Sequence, residues 1–120
     1  MSISAAPNHD NAAGLQALDP QPEYSGRQFA QTNATPNGIF REGEYVVLSY
    51  PIIEATDFVT VLTRLGLTSA ESAEITIRLP GDDLTTFANY NATAQRTRRE
   101  RPDGTCWRGV QFIIRKLEAL

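Results

Sequence analysis

Four groups of residues in this 120-residue chain could do chemistry, and each lacks something that chemistry needs. The one histidine, His9, lies in a stretch without apolar periodicity, far along the chain from Cys106, the one cysteine. No Ser-His-Asp or Cys-His arrangement can be drawn from residues 38–120, so a nucleophile there has no base. Asp82-Asp83 is the one adjacent carboxylate pair. Placed after Pro80-Gly81, it reads as a helix cap before it reads as a metal or acid–base site. The same loop would offer anions to an anion, and no glycine-rich phosphate cradle occurs elsewhere. Cys106 beside Trp107 has no neighbouring base and reads as a core or edge residue. Asn33-Ala34-Thr35 and Asn91-Ala92-Thr93 match the glycosylation pattern, but no basic-plus-apolar signal precedes them. The expectation is a non-enzyme with no cofactor and no metal.

The fourth group is a run of arginines. Arg96, Arg98, Arg99 and Arg101 place four cations in six residues, with Tyr90 and Trp107 close by. Such a run could be a phosphate-binding ribbon with stacking aromatics. It could equally be a solvated hairpin, or a patch that docks on an acidic neighbour. Charge decides the order of these readings. The net charge is −3 with a pI near 5.1, which disfavours nucleic acid as a partner. Charge is also segregated: from Leu84 onward there are seven basic residues against three acidic, and before it four against eleven. Ten of the eleven cations are arginine, the side chain suited to bidentate carboxylate contacts. Protein contact is the leading expectation, as a homo-oligomer or ring assembly.

The elements that would position these residues are well marked between Tyr45 and Leu79. Val46, Leu48 and Tyr50 alternate with Val47 and Ser49 and read as a strand. Pro51-Ile52-Ile53 is expected to leave the sheet. Phe58, Val61, Leu62 and Leu65 have the spacing of one helix face. Thr56 or Asp57 is the expected N-cap, and Gly66 with Leu67 the closing motif. Ile75, Ile77 and Leu79 alternate again. A second, weaker helix is expected with Leu84, Phe87, Ala88 and Asn91 on one side. Ala92 to Arg99 reads as a polar edge strand. Pro102-Asp103-Gly104 is a turn. Trp107 to Leu117 is the last strand, with Val110, Phe112 and Ile114 on one face. The fold class is therefore α+β: a β-rich mixed sheet or curled sandwich with one main helix packed on it.

Residues 1–37 have no sustained period and carry Pro7, Pro20 and Pro22. They read as an N-terminal arm, either disordered or extended along a neighbouring subunit with Tyr24 and Phe29 as anchors. The domain proper is then 38–120. No run approaches the roughly 20 apolar residues of a membrane-spanning helix. With a single cysteine, the expected setting is a soluble protein made in a reducing cytosol.

The segment SGRQFAQTNATPNGIFREGEYVVLSYPIIEATDFVTVLTRLGL, the alternating strand ending in RLP, and the terminal WRGVQFIIRKLEAL together resemble small structural proteins of tailed bacteriophages, of the minor-tail or tail-adaptor type. The likeness covers about four-fifths of the chain, from Tyr24 to Leu120. It carries no catalytic or ligand residue across. It implies a virion subunit made in the host cytoplasm that assembles with other virion subunits through its N-terminal arm and charged surfaces. Protein-contact candidates are Tyr24, Phe29, Arg96, Arg98, Arg99, Arg101 and Trp107. A capsid decoration or head-to-tail connector protein, or a small cellular nucleic-acid-binding module using Arg96 to Arg101, are the alternatives.

Overall fold

Three alternating strands and one amphipathic helix supply most of the core, and the chain arranges the rest around them. In the computed structural model the described residues are 3–7, 14–35, 38–81 and 83–120, with side chains described outside 29–43. The elements run β1 (Ser4–Pro7), β2 (Gln16–Ala17), β3 (Glu23–Tyr24), β4 (Gln28–Thr35), β5 (Gly38–Glu54), α1 (Ala55–Leu65), β6 (Ser72–Pro80), β7 (Phe87–Arg96), β8 (Arg101–Asp103) and β9 (Cys106–Ala119). The strands form one sheet of order β2-β1-β6-β7-β9-β5-β3, with β4 paired to β5 and β8 to β9. All these pairings are antiparallel. The sheet curls into a half-barrel with one short helix, the β-rich α+β architecture expected from the sequence.

Register brings the apolar alternations into line. Val46, Leu48 and Tyr50 of β5 face Ile114, Phe112 and Val110 of β9. Ile114 in turn faces Ala94 of β7, which faces Ala73 of β6. Phe58, Val61, Leu62 and Leu65 of α1 are buried over this face, together with Ile75, Ile77 and Leu79. The helix closes as expected. Gly66 adopts φ +70°, its N–H meets Thr63 O at 3.2 Å, and Leu67 N–H meets Leu62 O at 2.8 Å. These two bonds make a Schellman motif. Gly66 is needed twice over, since a Cβ there would stand 3.1 Å from the Pro7 Cβ.

The helix begins two residues before the expected cap. Glu54 occupies the N-cap without a side-chain hydrogen bond, and Ala55 N–H donates instead to Thr105 O at 3.0 Å. The backbone of the β8–β9 turn thus does the work expected of Thr56 or Asp57.

Four further expectations are corrected. Pro51-Ile52-Ile53 stays in the sheet: β5 pairs with β9 through Glu54, and Ile53 is buried. No helix follows Asp83. Leu84 takes φ 60° and is 66% exposed, so the spacing that suggested a helix has no core to face. Phe87–Arg96 forms β7 instead. Nor is this strand an edge, because it lies between β6 and β9, where Ala92 and Ala94 are buried. Their small side chains disguise an inward alternation as polar sequence.

The fourth correction concerns the front of the chain, where the core begins well before residue 38. β1 pairs with β6 from Ser4 opposite Arg78 to Pro7 opposite Ile75. Ile3, Ala5, Ala6 and Leu18 are buried. The Gln21 carboxamide accepts from Ile3 N–H at 2.8 Å and donates to Ile3 O at 2.9 Å and to Leu18 O. Arg64 at the end of α1 donates to Ala17 O. Tyr50 OH donates to Pro20 O at 2.6 Å, and burial, aided by the charge of Asp19, pushes that phenol's pKa up. A disordered tail would show none of these contacts.

Leu18→Ala is accordingly expected to lower unfolding free energy by about 2–5 kcal/mol, read as a shift of the urea midpoint in the full chain. An unchanged midpoint would remove the front of the chain from the core.

Candidate functional site at the arginine end of the half-barrel

β7 continues its inward face past Ala92 and Ala94 to Arg96, which stands opposite Phe112 in the ladder with β9. An arginine at a core position needs both a flat apolar partner and a carboxylate. It has them. Its guanidinium lies 5.5 Å from the Phe58 ring centre, and Nη2 donates to Glu100 Oε1 at 2.5 Å. The two side chains are only 10% and 8% exposed. Phe58 also meets Trp107 with ring centres 5.7 Å apart and Phe112 at 6.4 Å. The start of α1, the end of β7 and the start of β9 are thereby locked into one stack. Arg96 Nε has no hydrogen-bond partner among the described residues, consistent with a site shaped by stacking.

The other arginines are disposed differently. Arg98, at φ 60°, reaches across to Glu71, the residue just before β6. Its Nε donates to Glu71 Oε1 at 2.9 Å and Oε2 at 3.0 Å, and its Nη2 adds a further bond. That bidentate contact holds the Glu71 carboxyl below its ordinary pKa and raises the guanidinium. Both groups are solvent-exposed, so the pair adds little stability. Arg108 is fastened to Asp103 across the β8–β9 hairpin, and its guanidinium is raised by that bond. Arg99 and Arg101 are exposed and have no partner among the described residues. Of the four clustered cations, two are therefore matched by carboxylates of the same chain, and two face outward.

The remaining sequence candidates divide in the same way. Trp107 is half-buried against Phe58 and the core, so it is a structural ring. Tyr24 pairs with Leu48, packs on the core, and donates its hydroxyl to Pro80 O at 3.3 Å; it ties β3 to the end of β6 and is not a loose anchor. Phe29 lies in β4 opposite Glu44, and its side chain is outside the described residues, as are His9 and Asp82. Cys106 is a half-buried free thiol. Among the described residues no three His, Cys, Asp or Glu converge as metal ligands. No described helix is long and apolar enough to cross a membrane.

Asp83 caps a turn, not a helix. Its Oδ1 accepts from Thr85 N–H at 3.0 Å, Thr86 N–H at 3.1 Å and Thr86 Oγ1 at 3.0 Å. The backbone donors stabilise the anion and lower its pKa to about 2.

A second arginine stack was hidden in the sequence. Arg27 sits 4.5 Å from the Tyr90 ring centre, with Nε 3.4 Å from Glu44 Oε1 and a side chain 12% exposed. Tyr90 and Arg96 lie near opposite ends of β7, so the two stacks close opposite ends of the core. A lone arginine in a polar, proline-rich stretch carries no periodic signal that could have pointed to it.

Two outcomes follow. Arg96→Ala strands the enclosed Glu100 carboxylate and is expected to cost about 3–5 kcal/mol, whereas replacing Arg96 and Glu100 together by methionine should cost far less; urea unfolding of the three proteins checks this. Asp83, depressed in the folded state, contributes stability above its unfolded pKa, and loses it as pH falls from 3.8 toward about 2. Asp83→Asn should flatten that acid limb in thermal melts while leaving lysine- and histidine-range behaviour unchanged.

No family model matches the chain, and no curated protein or solved structure matches it. The chain's own geometry, read with its sequence pattern, carries the functional argument from here.

Proposed function

We propose that this chain is a non-enzymatic structural subunit of a tailed-phage virion, of the minor-tail or tail-adaptor type, working through contacts with other virion subunits. The observation that carries the proposal is the β4–β5 hairpin. β5 pairs with β9 only from Tyr45 onward, whereas its first residues, from Gly38, pair with β4 alone. Among the described residues β4 has no other strand partner. The ribbon thus extends past the sheet and gives the molecule a long axis of 51 Å against 32 and 28 Å. An isolated two-stranded ribbon is at best marginally stable in water, so an element of this kind serves a neighbour more than its own core. The resemblance of the sequence to phage tail structural proteins supplies the setting.

The titratable groups point the same way. Glu100, Glu71, Asp103 and Asp83 are occupied by arginine or turn contacts, the work of structural residues. A capsid decoration or connector protein would use the same features. A nucleic-acid module is a weaker fit, because only Arg99 and Arg101 of the cluster face outward unmatched.

The test is composition of purified particles, combined with a titration of the free protein against single- and double-stranded DNA at two salt concentrations. The expected result is stoichiometric presence in particles and no DNA binding beyond weak, non-specific attraction. Absence from particles, with micromolar DNA binding that collapses with salt and on Arg99→Ala plus Arg101→Ala, would overturn the proposal in favour of the cellular module.

A further inference from the structure

We propose that β4 is a self-association edge, along which one chain pairs with β4 of a second copy so that the two-stranded ribbons become one four-stranded sheet. The inference rests on the assembly reading above and adds the identity of the partner.

The other described edges of the sheet are guarded against strand addition. A sheet edge offers unpaired N–H and C=O groups to any passing strand, and proteins blunt such edges with shortness, proline, charge or bulges. Every body edge here has one of these. β1 has four residues and ends in Pro7, and β2 has two. β3 has two residues and follows Pro22. The open side of β5 beyond Tyr50 is interrupted by Pro51, and β8 reads Arg-Pro-Asp. On the ribbon itself, the outer side of β5 runs through Arg41, Glu42 and Glu44.

Among the described strands, β4 alone presents an open edge with neither charge nor proline, although two register irregularities interrupt it. It is eight residues long, Gln-Phe-Ala-Gln-Thr-Asn-Ala-Thr, with no charge and no proline. One flank of its backbone pairs with β5, and no described strand pairs with the other. Register irregularities between Phe29 and Asn33 bend the ribbon, but Asn33–Thr35 pairs regularly with Gly38–Phe40.

Composition then selects the occupant. An antiparallel strand pair is destabilised by like charges placed opposite one another, so most charged edges reject a copy of themselves. An uncharged Gln, Asn and Thr edge carries no such penalty. The same patch meeting itself is an isologous contact, which closes as a two-fold pair. The body meanwhile keeps its short and proline-bearing edges out of any rival pairing.

Sedimentation equilibrium of the full chain, from low to high micromolar concentration, tests this together with hydrogen exchange. A reversible dimer is expected, with amides of residues 28–35 exchanging more slowly as concentration rises. Ala30→Lys plus Thr32→Lys should weaken dimerisation at least about tenfold without moving the thermal melt of the body. Val59→Lys, on the 57%-exposed outer side of α1, should leave dimerisation unchanged. A chain monomeric throughout, or a dimer whose 28–35 exchange ignores concentration, overturns the proposal. The exchange result decides even if the double variant misfolds. A monomer that still enters particles would sink the β4 pairing and spare the virion reading; a β4-paired dimer absent from particles would do the reverse.

Discussion

One helix of eleven residues, about 16 Å long at 1.5 Å per residue, has to cover a sheet whose main path is seven strands wide, roughly 29 Å at 4.8 Å per step. It cannot, and the rest of the fold answers that shortfall. The sheet curls toward the helix, which shortens the face to be covered. β7 presents the small buried side chains of Ala92 and Ala94 to the core. What the helix leaves open, the front of the chain fills: Ile3, Ala5 and Leu18 are buried, Gln21 fastens the first strand to Leu18, and the Tyr24 hydroxyl reaches Pro80. A domain of this size has little apolar area to spare, so these few side chains carry weight beyond their number.

The two ends of the half-barrel pose a different problem, since neither strand ends nor one short helix can seal them with aliphatic groups. Each is closed by an arginine laid on an aromatic ring and paired with a glutamate: Arg96 on Phe58 with Glu100, Arg27 on Tyr90 with Glu44. A guanidinium suits the position. Its faces are weakly hydrated and stack on a ring, while its edge remains able to donate. A leucine would expose apolar surface at the rim, and a lysine would lose the stack. Each end also joins elements distant in sequence: the Arg96 stack joins α1, β7 and β9, and the Arg27 stack joins the segment after β3 to β7 and β5.

This division explains what could be read from the sequence. The strand of Val46, Leu48 and Tyr50, the face of Phe58 to Leu65, the Gly66 cap and the strand of Val110 to Ile114 were legible because bulky residues repeat at one period for two turns or more. β7 was not, because its inward residues are alanines and its ends are Tyr90 and Arg96; its burial is dictated by neighbours, which no local pattern reports. The front segment was illegible for a related reason. Ile3, Leu18 and Tyr24 each enter the core in or beside a strand of only two to four residues, so no window contains a period. At the arginine end the sequence located the cluster correctly in the chain but could not divide it, since Glu71, which occupies Arg98, lies 27 residues away.

Charge and edges together separate the body from the ribbon. Among the described ion pairs, Arg98–Glu71 joins the basic back of the chain to its acidic front, whereas Arg27–Glu44, Arg96–Glu100 and Arg108–Asp103 each pair within one half. Arg99 and Arg101 are matched by no carboxylate among the described residues. The ribbon shows the opposite economy, with a long edge that neither charge nor proline protects. A fold that spends proline and charge on its short edges and none on its longest open one has left that edge for pairing, and the specificity of such a contact resides in backbone geometry and uncharged amides more than in the arginines that first draw the eye.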